Sequence, residues 1–175
     1  MSDTNNIDFE ALDKDFIKSL NKSLYSRNPN IYALKRAIGR SSEENIKTYI
    51  SFLNVTKGNI FKPKKEIYFF ISTLFYNSER ASETEKKYVR YEVLLRRLYM
   101  DKYTKSTEMT ISRLLMSDID DSGIFYKQFV HIFRRAVKML NYNERIDYLS
   151  LLKDLKFWNE NNGAVRMRWA EKIIY

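Results

Sequence analysis

Apolar side chains recur every three or four residues along most of this chain. Phe9, Leu12, Phe16, Leu20 and Leu24 keep that step and predict an amphipathic helix. Asn28-Pro29-Asn30 ends it, and a short helix follows over 31–38, stopped near Gly39. Ser41 with Glu44 three residues on has the form of a capping box. It predicts the start of a helix whose stripe is Ile46, Tyr49, Ile50 and Leu53. Residues 55–62 read as loop, and Ile67, Phe70, Ile71, Leu74 and Phe75 form the next stripe. Residues 77–85 are polar and read as loop, the natural place for a seam.

Tyr91, Leu94, Leu95 and Leu98 predict a further helix, and Ile111, Leu114 and Leu115 a short one. Residues 118–123 read as an acidic turn. The clearest pattern comes next. Phe125, Phe129, Ile132, Phe133, Ala136 and Leu140 fall on one side, with Lys127, His131, Arg134 and Lys138 on the other. Asp147 reads as the N-cap of a helix running to Trp158, and Gly163 separates it from a last helix bearing Val165, Trp169 and Ile173. About nine helices emerge, with no convincing strand and no fixed repeat. The fold class is all-α.

Composition supports this. Four glycines and two prolines in 175 residues favour long helices over hairpins. The 44% hydrophobic content can fill a core. With no cysteine there is no disulfide, thiol nucleophile or zinc-thiolate site. No run is long and apolar enough to span a membrane, and the acidic start lacks the plan of a signal peptide. A cytoplasmic protein is expected.

The net charge of +9 is unevenly placed. Residues 1–13 carry −4, residues 14–65 carry +9, and residues 86–138 carry +6. Two basic stretches suit a polyanionic partner such as nucleic acid. Lys35, Arg36 and Arg40 surround one short helix; Arg90, Arg96 and Arg97 decorate another; Lys127, Arg134, Arg135 and Lys138 edge a third. Cations on rigid helices can follow phosphates without reading bases. Residues 127–138 hold no acid that could pair within the helix.

Catalytic material is sparse. His131 is the only histidine and has no partner nearby in sequence, so neither a Ser-His-Asp triad nor a multi-histidine metal site can form. Asp118, Asp120 and Asp121 lack the ligand spacing of a calcium loop and read as a turn before a helix. No catalytic residue, metal or cofactor is expected.

Several segments, in order, resemble a known family. YALKRAIGR, IYFFISTLFYNSE, ISRLLMSD, FRRAVKML, IDYLSLLKDLKFW and VRMRWAEKII are similar to successive stretches of CasB, the small subunit of the type I-E CRISPR Cascade complex. The closing Asp-aromatic, Leu-Leu, Asp-Leu, Trp and Trp-Ala pattern carries most of the likeness. An Arg-Arg pair that often precedes the ISRLL-like segment is replaced here by Met109-Thr110, so any phosphate contact from it is lost or has moved. Arg134-Arg135 and Lys35-Arg36 occupy matching positions.

The resemblance implies a non-catalytic subunit, present in two copies and bound to the backbone and large subunits. Its basic faces would stabilise guide RNA, target strand and displaced DNA strand. With the polar stretch near 77–86 it also implies two small helical bundles, 1–80 and 81–175, packed tightly enough to count as one domain. The residues alone leave two other readings open: a free-standing single-stranded nucleic-acid-binding protein, and a basic protein–protein adaptor.

Overall fold

The computed structural model describes residues 8–81, 85–101 and 104–175. Among them the chain forms nine α-helices and two very short strands. In order these are α1 (Phe9–Tyr25), α2 (Asn30–Arg36), α3 (Ile46–Thr56), α4 (Lys65–Ser78), β1 (Lys87–Val89), α5 (Tyr91–Asp101), α6 (Lys105–Met116), α7 (Ile124–Ala136), β2 (Glu144–Ile146), α8 (Tyr148–Lys156) and α9 (Ala164–Ile174). The all-α class holds.

Helix α4 is the axis of the molecule. The sequence predicts one apolar stripe on it, yet every residue from Ile67 to Tyr76 is buried. A helix apolar on all sides belongs inside a core. Its successive residues, about 100° apart around the helix, each address a different neighbour. The Tyr68 ring meets Phe16 of α1 edge-on at 4.9 Å. Phe69 meets Phe52 of α3 at 5.4 Å, and Phe70 meets Phe129 of α7 at 5.4 Å. Further along, Phe75 meets Tyr148 of α8 at 5.2 Å. One continuous buried cluster includes residues from both sides of position 80.

The helix ends follow local chemistry. Asp8 caps α1 through the backbone of Glu10 and Ala11, and Asp147 caps α8 through Ser150. The Ser41–Glu44 capping box forms, but it opens a 3-10 turn over Ser42–Glu44. Asn45 caps α3 instead, accepting from Lys47 and Thr48. The buried face of α3 therefore differs from the expected one. Ser51, Phe52, Val55 and Thr56 point inward, while Ile46 and Ile50 are exposed. The small Ser51 and Thr56 hydroxyls bond back to Lys47 and Phe52 carbonyls, which lets them sit inside. Residues 55 and 56 belong to the helix and not to the expected loop. Leu140 lies beyond α7, which gives way to a 3-10 turn at Val137–Met139. Of the expected polar loop and seam, residues 82–84 lie outside the described residues.

The two strands leave no mark in the sequence pattern. They pair in parallel, Lys87 opposite Glu144 and Val89 opposite Ile146. Three residues are too few to show a period of two, and the partners are distant in sequence. The pairing is locked beside its edge: Arg97 donates to Glu144 through Nη1 at 2.5 Å and Nη2 at 2.9 Å. That fork holds the buried Glu144 carboxyl down to about 2.

A second buried ion pair fastens α1 to α8. Lys156 Nζ lies 2.9 and 2.7 Å from the two oxygens of Asp13. Tyr68 donates to the same carboxylate at 2.5 Å. Burial, reinforced by that hydrogen bond, pushes the Tyr68 phenol well up.

Candidate nucleic-acid interface

Helix α7 separates its residues sharply by face. Phe125, Phe129, Ile132, Phe133 and Ala136 are buried. Tyr91 stacks on Phe129 at 4.9 Å, and Trp158 packs on Phe125 at 5.3 Å. This aromatic bed fixes the helix, and the opposite side carries Lys127, His131 and Arg134, all exposed. Lys138 continues the row on the following turn and is also exposed. None of these four makes an ion pair or side-chain hydrogen bond among the described residues. Arg134 and Arg135 also stand in the last turn, where cations are favoured by the helix dipole.

Arg135 behaves differently. Half-buried, it donates from Nη2 to Thr107 Oγ1 of α6 at 2.7 Å. It joins two helices and contributes its charge only from the rim.

The α2 cluster approaches this face through a glycine. Gly39 has φ +78°, and a Cβ built there would stand 3.4 Å from Val130 Cγ2. Val130 is flanked one turn away on α7 by Lys127 and Arg134. The chain at Gly39 therefore touches α7 at Val130, beside its basic row. Lys35, Arg36 and Arg40 are exposed and form no ion pair among the described residues. Asn77 holds the end of α2, donating to the Lys35 carbonyl at 3.1 Å. Arg36 and Arg40 also line a small cleft with Lys47, beside Glu44. Lys47 escaped the sequence reading because it is a lone cation on its helix.

The α5 cluster divides. Arg90 binds Glu92 at 2.6 Å and Asp154 at 3.3 Å, and Arg97 is committed to Glu144. Their charge is compensated inside the protein. Arg96 remains exposed and makes no ion pair among the described residues. Arg97 also donates to the Met139 carbonyl at 3.2 Å, which brings Lys138 towards α5.

The acidic turn is structural. Asp118 pairs with Arg166 at 2.9 Å, and Asp120 accepts the Ser122 backbone N–H at 3.1 Å. The N-cap of α7 is Gly123 and not one of the acids. Among the described residues no cluster of three or more His, Asp or Glu could hold a metal. No helix among them is long and apolar enough to cross a membrane.

The family model of the CRISPR-associated protein Cse2 matches residues 32–172. The chain belongs to the Cse2 family. Solved structures share this Cse2 fold. A chain of a CRISPR RNA-guided surveillance complex is 15% identical, with 94% of this chain and 92% of that chain covered and a TM-score of 0.69. A Cse2-family protein from Thermus thermophilus is 18% identical, with 92% and 96% covered and a TM-score of 0.67. M. ruber CasB is 18% identical, with 93% and 91% covered and a TM-score of 0.66. No curated protein matches the sequence. The Cse2 match spans α7 and the α2–Gly39 segment, so the basic face lies on the shared part of the chain.

Proposed function

We propose that this Cse2-family chain is a non-catalytic small subunit of an RNA-guided CRISPR surveillance complex. Its basic face holds the phosphate backbones of guide RNA, target strand and displaced strand without reading their sequence. The carrying observation is the exposed pair Lys127 and Arg134, without an ion pair among the described residues, on the side of α7 opposite its aromatic bed, with Arg36 and Arg40 exposed on the segment that reaches α7 at Val130. Lys35, Arg96 and Lys138 extend it, and Arg135 supports it from the rim. Arg90 and Arg97 serve the fold, because acids already neutralise them.

The energetics suit such a task. Opening DNA against a guide exchanges one duplex for a heteroduplex of similar stability, so modest backbone contacts can tip the balance. Several weak contacts act together once the subunit sits in an assembly, with the backbone and large subunits and a second copy as partners.

The test is the triple variant Lys127→Glu, Arg134→Glu, Lys138→Glu, introduced into the reconstituted complex. R-loop formation on a matched DNA target should fall at least tenfold, with the fold retained and the melting temperature lowered by only a few degrees. Unchanged R-loop formation would overturn the assignment.

A further inference from the structure

Helices α1 and α3 leave between them an open cleft of about 360 Å³ that no part of the basic face above reaches. Lys18, Lys22 and Lys57 line it together with Ser23, Ser26 and Asn59, and Asp15 is the only acid among its lining residues. Lys18 and Lys22 are one turn apart on α1, and Lys57 closes α3. All three are exposed, and none forms an ion pair among the described residues.

The backbone at this cleft departs from local preference. Lys57 sits at a helix C-terminus with φ 52°, a conformation usually given to glycine. Arg27, beside the cleft-lining Ser26, also has φ 52°. The other two non-glycine residues with positive φ among the described residues are asparagines, which tolerate it better. Lys57, a lining cation held in unfavourable backbone, marks a place where function outweighs local preference.

The chemistry of the lining selects the ligand. Val55, its one large apolar residue, is buried, so the cleft offers no anchor pocket for a protein partner. Ammonium groups flanked by hydroxyls and amides suit phosphate oxygens.

We infer that the α1–α3 cleft is a second phosphate-backbone site, taking one single strand of nucleic acid. Its position gives it a distinct role. Helix α1 meets α4 at Tyr68 and α7 meets it at Phe70, which sets the two helices about 160° apart around α4. The cleft and the α7 face thus lie on different sides of α4, so one molecule can hold two strands apart. Lys18 and Lys22 precede residue 32, where the family match begins, so half of this site lies outside the shared segment. The identity of the strand rests on the proposed function; the existence of the site does not.

The test is a titration of the isotope-labelled full chain with octathymidylate at low salt, followed by amide NMR. The amides of Ser19, Ser23, Lys57 and Asn59 should saturate as one set, and those around Lys127 and Arg134 as another. Lys18→Gln with Lys22→Gln should weaken the first set at least tenfold and leave the second unchanged. The salt dependence of the first set should drop by about 1.4 in log–log slope, two contacts at roughly 0.7 each. The inference falls if the cleft amides do not move, if the double variant leaves them unchanged, or if octaglutamate shifts them as strongly. Movement of the cleft set without the α7 set would support this site and count against the proposed function of α7.

Discussion

The indole Nε1 of Trp169 donates to Asp154 Oδ2 at 2.8 Å, with both side chains buried. The same carboxylate pairs with Arg168 at 2.5 Å and Arg90 at 3.3 Å. Trp158 completes the arrangement, edge-on to Trp169 at 5.1 Å and donating to the Ser117 carbonyl at 2.8 Å. The Asp-Leu, Trp and Trp-Ala pattern of the C-terminus is thus one hydrogen-bonded unit joining α8, α9 and the start of α5.

Trp169→Ala should destabilise the protein by about 3–5 kcal/mol through the cavity it leaves. Trp169→Phe keeps most of the packing and removes one hydrogen bond from the Asp154 carboxylate, which Arg90 and Arg168 still pair, costing about 1.5–3 kcal/mol. Urea melts of the two variants would separate packing from hydrogen bonding.

Asp13→Ala should cost about 3–5 kcal/mol, because it leaves the Lys156 ammonium buried without its partner. Asp13→Leu with Lys156→Met should recover most of that loss. A double variant as unstable as the single one would show that the pair contributes more than mutual neutralisation.

Acid should weaken the β1–β2 clip. The Glu144 carboxyl titrates near 2 in the folded protein against an ordinary value of 4.5. Its contribution is complete above pH 4.5 and is lost as the pH falls towards 2, amounting to roughly 3 kcal/mol at most. Glu144→Gln should flatten that part of the stability–pH curve, measured by denaturant melts between pH 2 and 5.

Gly39→Ala should cost about 1–2 kcal/mol, from the left-handed backbone and from pressure on Val130. Because the same contact aligns α2 with α7, nucleic-acid binding should weaken as well. Arg97→Glu should lower the melting temperature far more than Arg134→Glu, which forfeits only a favourable charge near the end of α7.

Long amphipathic elements such as α7 are readable because burial on one side leaves a period, and the Asp147 cap is readable from its local chemistry; the Ser41 box forms but opens a 3-10 turn, leaving α3 to Asn45. What escapes depends on distant partners. Ile46 and Ile50 have the right spacing for a core stripe, yet Phe69 of α4 selects the Phe52 face of α3. Arg90 and Arg97 look like free cations until Asp154 and Glu144 arrive from far along the chain. At the candidate interface, α7 shows its own charge segregation, but only the fold shows that the α2–Gly39 segment reaches α7 at Val130. Lys18, Lys22 and Lys57 share a cleft only because α1 packs on α3.

The all-round burial of α4 also bears on synthesis. This helix is complete once residue 78 has been made, but Tyr126 and Phe129 of α7 and Tyr148 of α8 come about 50 to 70 residues later. At roughly 10 residues per second, two of its faces wait about five seconds or more for their cover on the ribosome. The first half alone therefore leaves the α7- and α8-facing sides of α4 uncovered, so this segment cannot reach its final burial until the second half has been made.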